Sequence, residues 1–164
     1  MKMKGKQMLI GLLIIAVGIA IDQITKYLAF RHLEFGREYK CIPGLFRFEL
    51  VKNPGGAWGI FANQLWFFII VTVVALVFLG FLARQFDLKE NPVFSVAFIL
   101  ITTGTLGNFI DRVVYRGEVR DFVTFDFMSF PSFNFADMAL TIGVILLAID
   151  ILFGKTGAVW TKSD

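Results

Sequence analysis

The residues in this chain best suited to chemistry are aspartates set in or beside long apolar runs. Asn134 and Asp137 share one face of any helix, with Thr141 a turn further on and no cation within a turn of Asp137. An ionisable group inside an apolar helix is a site candidate by default, because isolated charge there costs about 2.5–3.5 kcal/mol even on mild insertion scales. Asp121 lies in Val119-Arg120-Asp121-Phe122-Val123-Thr124-Phe125-Asp126-Phe127, whose β-branched and aromatic residues mark a strand. Alternation over 119–127 puts Asp121 on the apolar face with Val119, Val123, Phe125 and Phe127, where burial should raise its pKa. Asp126 falls on the other face with Arg120, and is expected to be solvated. Two carboxyls meeting near water would share one proton, one activating water and the other donating to a substrate carbonyl. That is the chemistry of an aspartic protease. The residue pattern alone reaches such a site as a candidate and goes no further.

Other polar clusters have plainer readings beside the functional one. Asp22 and Lys26 are spaced i, i+4 with the acid first, the favourable order for a helix ion pair. Asn108, Asp111 and Arg112 close an apolar run and suit a hydrogen-bonded network at a helix end. Asp150 lies about 20 Å of helix from Asp137 at ~1.5 Å per residue and is expected at an interface. Other hydrolytic machinery is poorly supplied. The serines are Ser95, Ser129, Ser132 and Ser163, the only histidine is His32, and a Ser–Lys pair using Lys26 has no spacing to recommend it. With one cysteine (Cys41) and one histidine, a Cys/His zinc cluster cannot be built. No metal and no cofactor are expected.

The elements that must position these residues are membrane helices. Hydrophobic residues make up 57% of the chain and charged residues 18%, against about 45–50% and 25% in soluble domains. Four apolar segments, at about 8–30, 65–83, 92–112 and 133–153, each approach the ~20 residues that cross a bilayer as a helix. The alternating ~10-residue segments of a β-barrel are absent. The expected fold is therefore an all-α membrane protein, residues 1–164 forming one domain of four transmembrane helices. The first segment, preceded by Lys2, Lys4 and Lys6, also has the outline of a secretory signal peptide, the weaker reading. The net charge of +3 comes from basic residues flanking apolar runs, which argues against nucleic acid.

The N-terminal lysines place the N-terminus in the cytoplasm, and four crossings return the C-terminus, with Lys155 and Lys162, to the same side. The longer connections, 31–64 and 116–132, then face outward. Asp22, Asn108, Asp111, Asn134 and Asp137 all fall in the outer layer of the membrane. Phe46-Arg47-Phe48-Glu49-Leu50 alternates like a strand with one buried face, and Asn53-Pro54-Gly55-Gly56 supplies a turn.

At these residues the sequence resembles the bacterial lipoprotein signal peptidase (signal peptidase II) family. The resemblance is carried in chain order by Asp22-Gln23-Ile24-Thr25-Lys26, Asn53-Pro54-Gly55-Gly56-Ala57-Trp58-Gly59, Gly107-Asn108-Phe109-Ile110-Asp111-Arg112, Arg120-Asp121-Phe122 and Phe133-Asn134-Phe135-Ala136-Asp137. It implies an aspartic endopeptidase of the bacterial cytoplasmic membrane. The substrate would be a prolipoprotein carrying diacylglycerol on its lipobox cysteine, cut just before that cysteine. The family's catalytic pair maps onto Asp121 and Asp137. Its supporting and substrate-binding positions map onto Asp22, Lys26, Asn53, Gly55, Asn108, Asp111, Arg112 and Asn134. The outer connections would form a small extracytoplasmic β-sheet and a flap. Expected partners are lipid-modified prolipoproteins and membrane lipids, and the expected state is a monomer. Trp58 stands where Phe is usual, Pro54 where a small polar residue is common, and Arg120 where an apolar residue is common. Two readings compete with a peptidase. One is a small four-helix proton-coupled transporter using Asp22. The other is a passive membrane scaffold using Gly104 and Gly107 for close helix contact.

Overall fold

The structure, a computed structural model, describes residues 2–154. Lys155 and Lys162, invoked above for the C-terminal flank, lie outside the described residues. The chain runs through helix α1 (Lys2–His32), strands β1 (Tyr39–Ile42) and β2 (Phe46–Asn53), helices α2 (Leu65–Leu82) and α3 (Pro92–Val114), strand β3 (Val119–Phe125) and helix α4 (Phe135–Phe153). Among the described residues, four helical stretches are long and apolar enough to cross a membrane: Gly5–His32, Leu65–Gln85, Pro92–Val114 and Phe135–Phe153. The expected architecture of four spanning helices with a small sheet is the one adopted. In hydrocarbon a helix is the local solution for such segments, because it satisfies its own backbone polar groups.

Helix α3 is the hub. It packs most extensively on α4, then on α1, then on α2. Half of its most apolar stretch is buried, against 17% for α1 and for α2, whose Leu12, Leu13, Val17, Ile70, Val74 and Phe78 stay exposed for lipid. Glycines let the helices close up. A Cβ on Gly104 would collide with the Ala136 carbonyl oxygen, and one on Gly107 would lie 2.7 Å from Asp22 Oδ2. Close backbone approach of this kind drives association where lipid removes the hydrophobic force between helices. At the opposite end of the bundle, Ile15, Leu79, Leu82, Phe86, Phe94, Phe98 and Ile99 form the apolar core. There the Leu88 N–H donates to Gln7 Oε1 at 2.9 Å and ties the α2–α3 connection to α1.

The polar end carries an antiparallel sheet in the order β1-β2-β3. A bulge in β2 between Phe48 and Val51 moves the register, so that Phe48 pairs with Val123 and Val51 with Asp121. A one-residue shift exchanges the faces of a strand. The bulge thus sets Val51, and with it Asn53, on the same face as Asp121. Strand β1 was not foreseen; Tyr39-Lys40-Cys41-Ile42 has no alternating pattern and is mostly exposed. The single buried face expected for 46–50 is also not found, since only Leu50 in that run is buried. Strand β3 is shorter than 119–127 and is buried on both faces at its start, because the face of Arg120, Phe122 and Thr124 packs inward as well.

Candidate active site

The first turn of α4 explains the position of Asp137. Asn134 caps the helix. Its side-chain oxygen accepts from the Asp137 N–H at 3.1 Å, and Asp137 Oδ2 accepts from the Asn134 N–H at 3.0 Å. This reciprocal box satisfies two donors that a helix start leaves open, and it fixes the carboxylate against its own helix. The other oxygen, Oδ1, accepts from Asn108 Nδ2 on α3 at 2.7 Å.

Asp121 is held from two sides. Asn134 Nδ2 donates to its Oδ1 at 2.6 Å and Asn53 Nδ2 to its Oδ2 at 3.0 Å. Asn53 is fixed in turn, because its side-chain oxygen accepts from the Gly55 N–H at 3.0 Å. A side chain on Gly55 would meet the Ile60 carbonyl at 2.9 Å, so the turn closes only around glycine. Burial pushes the Asp121 carboxyl up to about 7, with the nearby charge of Asp137 adding to the effect. Arg112, on the last turn of α3, faces Asp137, Asp121 and Asp111 electrostatically. Its Nη2 donates to the Gly55 carbonyl at 3.2 Å, and its guanidinium lies 4.2 Å from the centre of the Phe68 ring.

Behind these two carboxyls lies a buried charged layer. Asp22 and Lys26, both fully buried, pair at 2.9 Å. Lys26 also reaches Asp111 at 3.6 Å and donates to Asn108 Oδ1 at 3.0 Å. Asp22 Oδ1 accepts from the Ala136 N–H at 3.0 Å, which locks α1 to the start of α4. Removing one partner from such a network leaves an uncompensated buried charge, at a cost of about 3–5 kcal/mol. Two members were not singled out from the sequence. Gln23 donates to Asp22, Asp111 and the Gly107 carbonyl, and Arg120 forks onto Asp111. A Gln deep in an apolar helix, between Asp22 and Lys26, was the available signal for the first. For Arg120, alternation pointed to a solvated face, but that face packs on α3.

Asp121 and Asp137 line one cleft of about 510 Å³, together with Asn53, Ser132 and Thr141. The rest of its wall is apolar, with Phe125, Phe130, Phe133, Met138, Leu140 and Ile142. Trp58 packs edge-on against Phe130, centroids 5.7 Å apart, at the head of a loop in which Trp58, Phe61 and Asn63 all have positive φ. All the expected site residues on α1, β2, α3, β3 and α4 thus meet around one cleft or directly behind it. Asp126 lies outside it. Its cation is Arg47 at 3.4 Å rather than Arg120, and it also accepts from the Gly44 N–H. Asp150, expected at an interface, is buried near the far end of α4.

Comparison with known proteins places this architecture. The family model for signal peptidase (SPase) II matches residues 14–153. The lipoprotein signal peptidase of Brevibacillus brevis is 44% identical over 145 residues, covering 87% of this chain and 95% of the relative. That of Lactiplantibacillus plantarum is 38% identical over 145 residues, with 88% and 95% covered. A bacterial membrane enzyme solved by the in meso method at 2.3 Å resolution superposes with a TM-score of 0.81 at 36% identity, covering 94% of this chain and 92% of that one. A second, solved by the same method at 1.9 Å, gives 0.77 at 39% identity, with 87% and 92% covered. This likeness displaces both the transporter and the scaffold. The chain belongs to the signal peptidase II family and is, with that family, an aspartic endopeptidase of the membrane.

Proposed function

We propose that the chain removes the signal peptide from diacylglyceryl-modified prolipoproteins by cutting just before the lipidated cysteine, with Asp121 and Asp137 as a proton-sharing pair. The observation that carries this reading is the double use of Asn134, which holds one carboxylate through its side chain and the other through its backbone at the wall of a single cleft. Burial and the charge of Asp137 push the Asp121 carboxyl up to about 7, so the pair can hold a proton near neutral pH. Asp137 takes a proton from water as that water attacks the scissile carbonyl, and Asp121 donates to the carbonyl oxygen. On collapse the C–N bond breaks and the amine of the cysteine leaves with a proton from the pair. The products are the signal peptide's new carboxylate and the lipoprotein's new amino terminus.

The apolar wall of the cleft suits a substrate that arrives within the bilayer. Its acyl chains stay in lipid while the scissile bond meets the polar end of the bundle. In this reading both termini are cytoplasmic, the sheet faces the extracytoplasmic side of the bacterial cytoplasmic membrane, the loop bearing Trp58 acts as a flap, and the enzyme works as a monomer. Asn53, Gly55, Asn108, Arg112 and Asn134 hold the pair and the substrate backbone, while Asp22, Lys26 and Asp111 hold the helices beneath them. The direct test is incubation of purified protein with a lipid-modified prolipoprotein. Loss of the signal peptide is expected, and intact substrate after prolonged incubation with folded enzyme would refute the assignment.

A further inference from the structure

Arg120 stands where the family resemblance leads one to expect an apolar residue, and its neighbour is Asp121. Its side chain is buried and turned away from the cleft, onto α3. The contact with Asp111 is unusually complete. Arg120 Nε reaches Oδ2 at 3.2 Å, Nη2 reaches Oδ1 at 2.9 Å, and the backbone N–H reaches Oδ2 at 2.9 Å. Nη2 also donates to Gln23 Oε1 at 2.9 Å, and the guanidinium lies 4.5 Å from the centre of the Tyr115 ring. A planar fork held on both edges and one face has little freedom, and a lysine would not reproduce it.

The charges around this contact can be tallied element by element. Helix α1 contributes Asp22 and Lys26, α3 contributes Asp111 and Arg112, β3 contributes Arg120 and Asp121, and α4 contributes Asp137. Tyr115 is neutral. Lys52, opposite Arg120 in the sheet register, is exposed, with its ammonium 5.7 Å from the centre of the Phe35 ring, and stands outside the layer. Three cations therefore face four carboxyls. The layer is electrically neutral when one carboxyl carries a proton, which is the state a proton-sharing pair needs in order to work. Without Arg120 the layer would hold one surplus negative charge. Asp111 would then draw on Lys26, which already divides its charge between Asp22 and Asp111 while donating to Asn108.

We propose that Arg120 is a positioning residue whose guanidinium cancels the charge of Asp111 and so leaves the buried layer neutral when the Asp121–Asp137 pair holds a single proton. This rests on the reading of Asp121 and Asp137 as that pair. A guanidinium that only stapled β3 to α3 would give the same hydrogen bonds, so the test must read the protonation of the pair.

The experiment measures kcat and KM against pH on a lipid-modified prolipoprotein for Arg120→Gln, Arg120→Lys, Asp111→Asn and the double variant Asp111→Asn/Arg120→Gln. Arg120→Gln should displace the kcat profile to higher pH by about one pH unit, the low end of what a nearby charge does. Asp111→Asn should displace it to lower pH. The double variant, neutral again, should return to the wild-type profile even if its rate is lower. Arg120→Lys keeps the charge and should keep the profile. A fall in kcat with no displacement in Arg120→Gln would overturn the proposal in favour of a mechanical staple. If Arg120→Gln does not fold, the double variant decides. A wild-type profile supports charge cancellation, and a profile displaced like that of Asp111→Asn overturns it. Turnover by Asp121→Asn or Asp137→Asn would instead defeat the pair itself, and this proposal with it.

Discussion

Asn134 Nδ2 lies 2.6 Å from Asp121 Oδ1, while the Asn134 N–H donates to Asp137 Oδ2 at 3.0 Å. One residue, at the junction of β3's return and α4, therefore sets the spacing of two carboxyls that come from different elements. Its side-chain oxygen caps the helix, and its side-chain nitrogen serves the neighbouring strand.

Asn134→Ala and Asn134→Asp separate these duties. Asn134→Ala should lower thermal stability by about 1 kcal/mol through loss of the cap, and cut kcat by ~10²-fold through misplacement of the pair. Asn134→Asp keeps a capping oxygen but sets a third carboxylate against Asp121. Its added carboxyl would be buried beside Asp121, so the variant should lose more stability than Asn134→Ala and as much activity. Turnover near wild type in either variant would show that Asn134 does not hold the pair.

Asp121→Asn and Asp137→Asn should each lower turnover by about 10²–10⁴-fold, the usual worth of acid–base catalysis, with the double variant hardly worse than either single one. Asp126→Asn and Asp150→Asn lie away from the cleft and should stay active. Single-turnover cleavage normalised to folded protein is the measurement. An active Asp137→Asn would end the dyad assignment.

The pH dependence follows from Asp121. With its carboxyl pushed up to about 7, activity should fall as pH rises through that value and the pair loses its shared proton. For stability the sign is the reverse of the usual salt-bridged aspartate. The folded value lies above the unfolded one of about 3.9, so the ionised form burdens the fold. Wild type should therefore lose stability relative to Asp121→Asn as pH climbs from about 4 to 7. Melting curves of the two proteins in the same detergent at pH 5 and pH 8 check this. A wild type that gained stability relative to Asp121→Asn between pH 5 and pH 8 would contradict it.

Gly104→Ala should be poorly tolerated, since its Cβ would meet the Ala136 carbonyl oxygen, a backbone atom that cannot step aside without moving α4. Overpacking of this kind costs about 1–3 kcal/mol, and here it should take the first turn of α4, with Asp137, along with it. Gly80→Ala, with nothing within 4 Å, is the matched control. Equal melting temperatures for the two would refute the close-contact account.

Prolipoprotein lacking diacylglycerol should be a poor substrate, because the cleft's apolar wall offers it no lipid handle. Chelators should leave activity intact, because the carboxyls are engaged by amide donors and assigned to proton transfer. Equal cleavage of both substrates, or inhibition reversed by a divalent ion, would contradict these two expectations respectively.

Much of this was legible in the residues. Apolar runs near 20 residues marked the spanning helices, and the i, i+3 spacing of Asn134 and Asp137 brought the two together, as the helix cap and its partner three residues on. The i, i+4 order of Asp22 and Lys26 announced their pairing. What escaped has a common cause. A bulge is invisible to an alternation count, so the diagonal meeting of Asn53 with Asp121 could not be derived from strand pattern. A strand covered on both faces carries no label saying which face is wet, and the polar face that carries Arg120 is buried as well. Strand β1 is short and held by its neighbour's backbone, with nothing in its side chains to announce it.

The hub position of α3 has a consequence for how the protein comes into being. Translation delivers α1 and α2 first, yet α2 finds its main packing surface only on α3, and α1 meets most of its partners on α3 and α4. Asp22 and Lys26 enter the membrane before Asp111, Asn108 or the Ala136 N–H has been synthesised. Until then the pair can lean only on each other and on Gln23 of the same helix. The cleft draws on β2, β3 and α4, and α4 emerges last. With Asp121 and Asp137 as the pair, a nascent chain that lacks α4 should cleave nothing, and proteolytic competence should arrive in one step, when the fourth helix docks.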